Sequence, residues 1–183
     1  ALVAFYACMR IGVVAAEHNP LAPAEEIHQQ LDRHRGKVAI VWEKSVDAFI
    51  REGDKSLDTI FTVDISAGMP RSQRMLLSLP IERARQTREQ MRAARPKDAR
   101  SWDQAVAHAR LVHPDTPQAT GDDLAVILHT GGTNGVPKSV PLTHRNIGTN
   151  VNQCRMWVWK LHEGAETFYS LLPYFHAYGL TFF

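Results

Sequence analysis

Residues able to hold phosphate are concentrated in one short stretch, Thr130-Gly131-Gly132-Thr133-Asn134-Gly135-Val136-Pro137-Lys138, directly after an apolar run over residues 124–128 that reads as a buried strand. Glycines at 131, 132 and 135 let the backbone come close to a ligand and turn successive N–H groups toward anionic oxygens. Thr130 and Thr133 add hydroxyl donors, Asn134 adds a polar side chain that tolerates left-handed backbone angles, and Lys138 adds a mobile positive charge. The chemistry such a turn supports is the binding of phosphate.

Two phosphate-loop patterns do not fit. The G-x-x-x-x-G-K-[ST] pattern requires glycine directly before the lysine, and Pro137 stands there without an N–H to contribute. The dinucleotide pattern G-x-G-x-x-G is absent, since the glycines are spaced G-G-x-x-G.

A third pattern fits. Thr-Gly-Gly-Thr-Asn-Gly-Val-Pro-Lys, continued by Pro141-Leu142-Thr143-His144-Arg145-Asn146, closely resembles the phosphate-loop signature of the AMP-forming acyl-CoA synthetases, whose superfamily includes firefly luciferase and peptide-synthetase adenylation domains. Downstream, Leu171-Leu172-Pro173-Tyr174-Phe175-His176-Ala177-Tyr178-Gly179-Leu180 resembles the next signature of that superfamily, a strand ending in Leu-Pro-x-Phe/Tyr-His. Near the start, the Ala7-Cys8-Met9-Arg10-Ile11-Gly12-Val13-Val14 stretch and the Asn19-Pro20-Leu21 turn resemble the corresponding part of long-chain fatty acid–CoA ligases. The form Thr-Gly-Gly-Thr points to that fatty-acid branch; the peptide-synthetase branch usually has Ser in place of Gly131. Two positions depart from the family: Asn134 stands for its usual Thr and Ser139 for its usual Gly, a change that matters if the position requires positive φ.

The resemblance implies a two-step ligase using ATP, Mg²⁺ and CoA, in which a long-chain fatty carboxylate is first converted to acyl-AMP and the thiol of CoA then displaces AMP. It implies that Thr130, Gly131, Gly132, Thr133, Asn134, Gly135 and Lys138 hold the ATP phosphates, that Thr130 is the hydroxyl nearest the metal, and that His176 lies near the acyl carboxylate and the path of the pantetheine thiol. Without the resemblance, His176 reads equally as a satisfied core histidine at a strand end. The other eight histidines show no metal-ligand spacing. Acyl-AMP ligases, amino-acid adenylation domains and non-catalytic nucleotide-binding modules use a similar loop and remain alternatives at this stage.

The elements around these residues suit an α/β fold with a doubly wound, mostly parallel sheet flanked by helices. Residues 2–10 read as the end of a helix and 13–16 as a short strand. Pro23 then opens a helix to about Arg35, with Ile27 and Leu31 on one face and Gly36 as its stop. Strands are expected at 38–42 and 57–63 with a helical piece at 46–52 between them, and this order favours a parallel sheet. Ser101-Trp102-Asp103-Gln104 opens a helix toward Arg110, Thr143 caps another toward Trp159, and 167–172 reads as a further buried strand. Trp157 and Trp159 read as core or edge-packing residues. In domain terms, residues 1–66 form strand and helix units, 67–120 a basic helical segment and linker, and 121–183 the phosphate-loop unit, all within the N-terminal domain of a longer enzyme; both ends are apolar and uncapped, as expected of an inactive fragment.

Composition agrees with a globular enzyme: 44% of residues are hydrophobic and 22% charged. A net charge of +2 gives no reason to expect a nucleic-acid partner. The charge is uneven, however, with nine Lys or Arg against three acids between residues 71 and 100. That segment suits a solvated helix or peripheral contact with an anionic membrane. Cys8 and Cys154 form no C-x-x-C pair and read as buried thiols in a reducing cytoplasmic setting.

Overall fold

The computed structural model describes residues 2–51, 53, 56–131, 138–158, 160–162, 164–167, 169 and 171–182. In chain order the elements are α1 (Leu2–Ile11), β1 (Ala15–Ala16), α2 (Ala24–His34), β2 (Val38–Trp42), β3 (Thr59–Val63), α3 (Arg71–Ser78), α4 (Glu82–Met91), β4 (Arg100–Ser101), α5 (Trp102–Ala107), β5 (Leu124–His129), β6 (Ser139–Thr143), α6 (His144–Trp157) and α7 (Ala177–Phe182). They form two compact units, one made of residues 1–19 and 112–183 and the other of Pro20–Leu111.

The second unit is built on a parallel sheet in the order β2-β3-β4. Along β2, Ala39 and Val41 are buried while Val38 and Ile40 are exposed, the period-two pattern of a strand with one covered face. Ile27 and Leu31 of α2, four residues apart on one helix face, cover Ala39 and Val41 together with Val46 and Phe49 from a 3-10 turn at Glu43–Phe49. Helix α2 ends as Arg35 enters the left-handed region at φ 52°, so the residue before Gly36 takes the conformation expected of the glycine. Gly36 instead donates its N–H to Nδ1 of His34. The basic segment forms a hairpin of two helices, α3 and α4, rather than one. Trp42 Nε1 ties α4 to β2 by donating to the carbonyl of Met91 at 2.8 Å.

The first unit carries the phosphate-loop residues on a mixed sheet in the order β1-β5-β6. Ala15 and Ala16 pair in parallel with Val126 and Ile127, and β6 returns antiparallel so that His129 faces Ser139 and Leu128 faces Val140. Phe5 of α1, Val126 and Leu128 of β5 and Leu180 of α7 form its buried core. Thr143 caps α6: its hydroxyl accepts from the N–H of Asn146, whose side chain accepts in return from the N–H of Thr143.

Three sequence expectations differ. The strand foreseen at 167–172 is absent at residues 167, 169, 171 and 172, where Tyr169 and Leu171 are largely exposed and, among the described residues, no strand pairs with them. Trp157 is 87% exposed on the outer side of α6 rather than packed, while Trp159 lies outside the described residues. The helix opened by Ser101 ends at Ala107, three residues early. Cys8 and Cys154 are half-buried free thiols.

Ile27 is fully buried at the centre of the second unit. Ile27→Ala is expected to lower the stability of this chain by about 2–5 kcal/mol in urea denaturation, whereas Met156→Ala, at an exposed site, leaves the midpoint unchanged.

Candidate functional site

Parallel pairing of β1 with β5 sends the carboxyl ends of both strands to the same edge of the first unit, and the phosphate-loop segment begins there. The pairing runs one residue past β1, since Glu17 N–H donates to the carbonyl of Ile127 at 3.0 Å. His129, the last residue of β5, donates from Nδ1 to the carbonyl of Glu17 at 3.2 Å, and its ring stacks on that of His18 with centroids 4.9 Å apart. The segment leaving β1 is thus fastened to the residue before Thr130.

A second fastening closes the base of the loop. Thr130 N–H donates to the carbonyl of Lys138 at 2.9 Å, and Lys138 N–H donates back to the hydroxyl oxygen of Thr130 at 3.2 Å. The Thr130 hydroxyl in turn lies 3.5 Å from the Lys138 carbonyl. The ends of the segment are therefore held together by both backbone and side chain, extending the β5–β6 ladder by one step. Lys138 is exposed, and its ammonium has no partner among the described residues. Gly131 is also exposed, with open space where a Cβ would be. Gly132, Thr133, Asn134 and Gly135 lie outside the described residues.

Ser139 resolves the departure noted in the sequence. It begins β6 opposite His129, and Arg35 is the only described non-glycine residue with positive φ. The position has no need of glycine, and the Ser139 hydroxyl is buried without a hydrogen-bond partner among the described residues.

His176 does not end a strand. It immediately precedes α7, donating its N–H to the carbonyl of Pro173 and accepting from Leu180 N–H at 2.9 Å, with its exposed ring 4.6 Å from that of Phe175. Leu180 anchors this helix in the same core as Val126 and Leu128. A side chain cannot be added at Gly179, because its Cβ would collide with the Pro173 carbonyl. Among the described residues no hydrogen bond or ion pair joins His176 to Thr130 or Lys138.

Residues not singled out from the sequence support the hairpin from its other end. The Asp123 carboxylate accepts from the N–H and hydroxyl of Thr120, which holds it below the usual carboxylate range, and its carbonyl accepts from His144 N–H. Arg145 donates its backbone N–H to Gly121 and pairs through Nε with Asp122 at 2.9 Å. These contacts join the start of β5 to the start of α6. The T-x-x-D spacing of Thr120 and Asp123 was the readable signal. Burial raises the pKa of Glu17, and burial followed by the Glu17 charge raises that of Cys8.

The AMP-binding enzyme family pattern matches residues 1–183. The chain belongs to that family. It is 28% identical over 181 residues to a long-chain-fatty-acid–CoA ligase of Bacillus subtilis (strain 168), covering 98% of this chain and 32% of that protein. Identity to the enzyme of the same name from Escherichia coli O157:H7 is 24%, again over 98% of this chain and 32% of the relative. The chain thus spans about a third of the length of these curated relatives. Its fold is that of a Brucella canis acyl-CoA synthetase (TM-score 0.66, 19% identity, 99% of this chain and 28% of that one). The same holds for the ATP-bound RpMatB-BxBclM chimera B3 (TM-score 0.70, 22% identity, 98% of this chain and 29% of that one).

Two outcomes follow from the site. The folded state favours neutral Glu17, so its ionisation costs stability as pH rises from the unfolded titration range to the raised folded value. Glu17→Gln should therefore raise the Tm at about pH 8 and leave it unchanged near pH 3.5, where both states hold the proton. Ser139→Gly removes a buried, unpartnered hydroxyl at the cost of strand propensity and should leave the Tm within a few degrees of wild type; a collapse would reveal a partner for the hydroxyl.

Proposed function

We propose that the full-length protein activates a long-chain fatty acid with ATP and transfers the acyl group to CoA. The observation that carries this reading is the Thr130–Lys138 closure at the carboxyl edge of β5, which leaves a lysine ammonium uncommitted beside a glycine- and threonine-rich segment. The matching relatives bear the name long-chain-fatty-acid–CoA ligase, which supports the choice of substrate.

In the first half-reaction a carboxylate oxygen attacks the α-phosphorus, the bond to the bridging oxygen breaks, and pyrophosphate leaves with the electron pair. Charge develops on that leaving group, and the loop is suited to meet it. Backbone N–H groups of residues 131–135, the hydroxyl of Thr133, the amide of Asn134 and the ammonium of Lys138 donate toward the phosphate oxygens. The Thr130 hydroxyl accepts one hydrogen bond, from Lys138 N–H, and is exposed; its oxygen retains acceptor capacity for a hard cation, so it fits as one ligand of Mg²⁺. Bound there, the metal would supply further neutralisation of phosphate charge. In the second half-reaction the CoA sulfur attacks the acyl carbonyl carbon and AMP leaves. His176 serves beside the acyl carboxylate and the approaching thiol. Residues 1–66 and 121–183 contribute the strand, helix and loop units of the nucleotide-binding domain, and residues 67–120 a basic helical segment and linker.

Fatty-acid-dependent exchange of pyrophosphate into ATP by the full-length protein tests this. Lys138→Ala and Thr133→Ala should each slow exchange on the order of a hundredfold. Thr130→Val should impair it while Thr130→Ser, which keeps the hydroxyl, retains most activity. Wild-type exchange in both the Lys138 and Thr133 variants would remove the phosphate-loop assignment.

A further inference from the structure

The α3–α4 hairpin has a surface that the proposed chemistry does not use. Its inner side is committed to holding the two helices together. Arg74, Leu77 and Ser78 face Arg88, Met91 and Arg92 across a cleft of about 230 Å³. Arg88 donates to the carbonyls of Leu77 and Leu79, and Arg92 pairs with Asp64 at 3.0 Å. Those two arginines are structural.

The outer side is different. At 100° per residue, Met75 and Leu76 fall on an arc of α3 away from Arg74, Leu77 and Ser78, and Leu79 follows directly after the helix. The three are 70%, 62% and 40% exposed, and Ile81 in the turn is 53% exposed. No residue of α3 is buried. Arg71 and Arg74 on α3 and Arg83 at the start of α4 are exposed, with no ion-pair partner among the described residues, as are Arg95 and Lys97 beyond α4. Arg85 is occupied by Glu82 and Glu89. The hairpin therefore presents a short apolar strip with the uncompensated Arg71 next to Met75 on α3, and a further uncompensated arginine, Arg83, at the start of α4.

We propose that this strip docks on the surface of an anionic phospholipid bilayer, with Met75, Leu76, Leu79 and Ile81 entering the boundary between headgroups and acyl chains and Arg71 and Arg83 held at the lipid phosphates. Charge complementarity selects this occupant. The segment carries nine basic residues against three acidic ones in a chain whose total is only +2, and a basic helix with a narrow apolar strip is the form that lies in a membrane interface. No helix among the described residues is long and apolar enough to cross a membrane, so the contact is peripheral. The inference rests on the hairpin surface and not on the proposed reaction.

Co-sedimentation of the full-length protein with extruded vesicles tests it, comparing pure phosphatidylcholine with phosphatidylcholine containing phosphatidylglycerol. Wild type should sediment with the anionic vesicles, release at high salt and ignore the neutral ones. Arg71→Gln/Arg83→Gln should weaken binding about 25-fold, at roughly fivefold per arginine, and Met75→Gln/Leu76→Gln should weaken it at every salt concentration. Pyrophosphate exchange with a short, water-soluble fatty acid should be unchanged in both variants, which separates docking from folding and from catalysis. Independently of any variant, hydrogen exchange of the wild type should show vesicle-dependent protection at residues 71–83. Failure to bind anionic vesicles, equal binding to neutral ones, wild-type binding by both variants, or protection confined to other segments would each overturn the proposal.

Discussion

The geometry of the site depends on one constraint: β1 and β5 must pair in parallel. Parallel strands bring their carboxyl ends to the same edge, and the segment after β5 holds the glycines, threonines and lysine. The pairing involves only Ala15, Ala16 and the backbone of Glu17, so it needs reinforcement. The bond from His129 to the Glu17 carbonyl and the stacking of His18 on His129 supply it. Phe5, Val126, Leu128 and Leu180 then pack α1, β5 and α7 into one core, so the element that begins just after His176 is held against the strand that leads into Thr130.

The loop itself is held by its ends. Reciprocal hydrogen bonds between Thr130 and Lys138 fix the separation of the two residues. The same bonds account for the tolerance of Pro137. A proline lacks an N–H, yet closure here uses the N–H groups of Thr130 and Lys138 and needs none from residue 137. Pro141 is accommodated in a similar way, since among the described residues β6 is an edge strand with one side free of a ladder partner.

Much of this was legible in the residue pattern for physical reasons. The apolar, β-branched run at residues 38–42, the 27/31 pair on one helix face and the Thr143 cap are local signals, and each produced the expected element. Strand β6 was not foreseen, because Val140-Pro141-Leu142 contains a residue that argues against a strand unless an edge is available. The run at 167–172 misled in the opposite direction: it is apolar enough for a strand, but a strand also needs a neighbour, and periodicity does not report one. Similarly, the contacts of Glu17, His18 and His129 join residues 112 positions apart in sequence and leave no local trace. Among the candidate residues, Thr130, Gly131 and Lys138 could be picked out by type and spacing and His176 only through the family resemblance, whereas the Thr130–Lys138 closure became visible only once both strands were in place.

The central claim is that the segment closed by Thr130 and Lys138 receives the phosphates of ATP. A structure of the full-length protein crystallised with ATP and Mg²⁺ tests it most directly. The account predicts phosphate oxygens within hydrogen-bonding distance of the N–H groups and hydroxyls between residues 130 and 138, with the Lys138 ammonium turned toward them and the Thr130–Lys138 backbone bond intact. Phosphates bound elsewhere on the protein, with this segment empty, would contradict it.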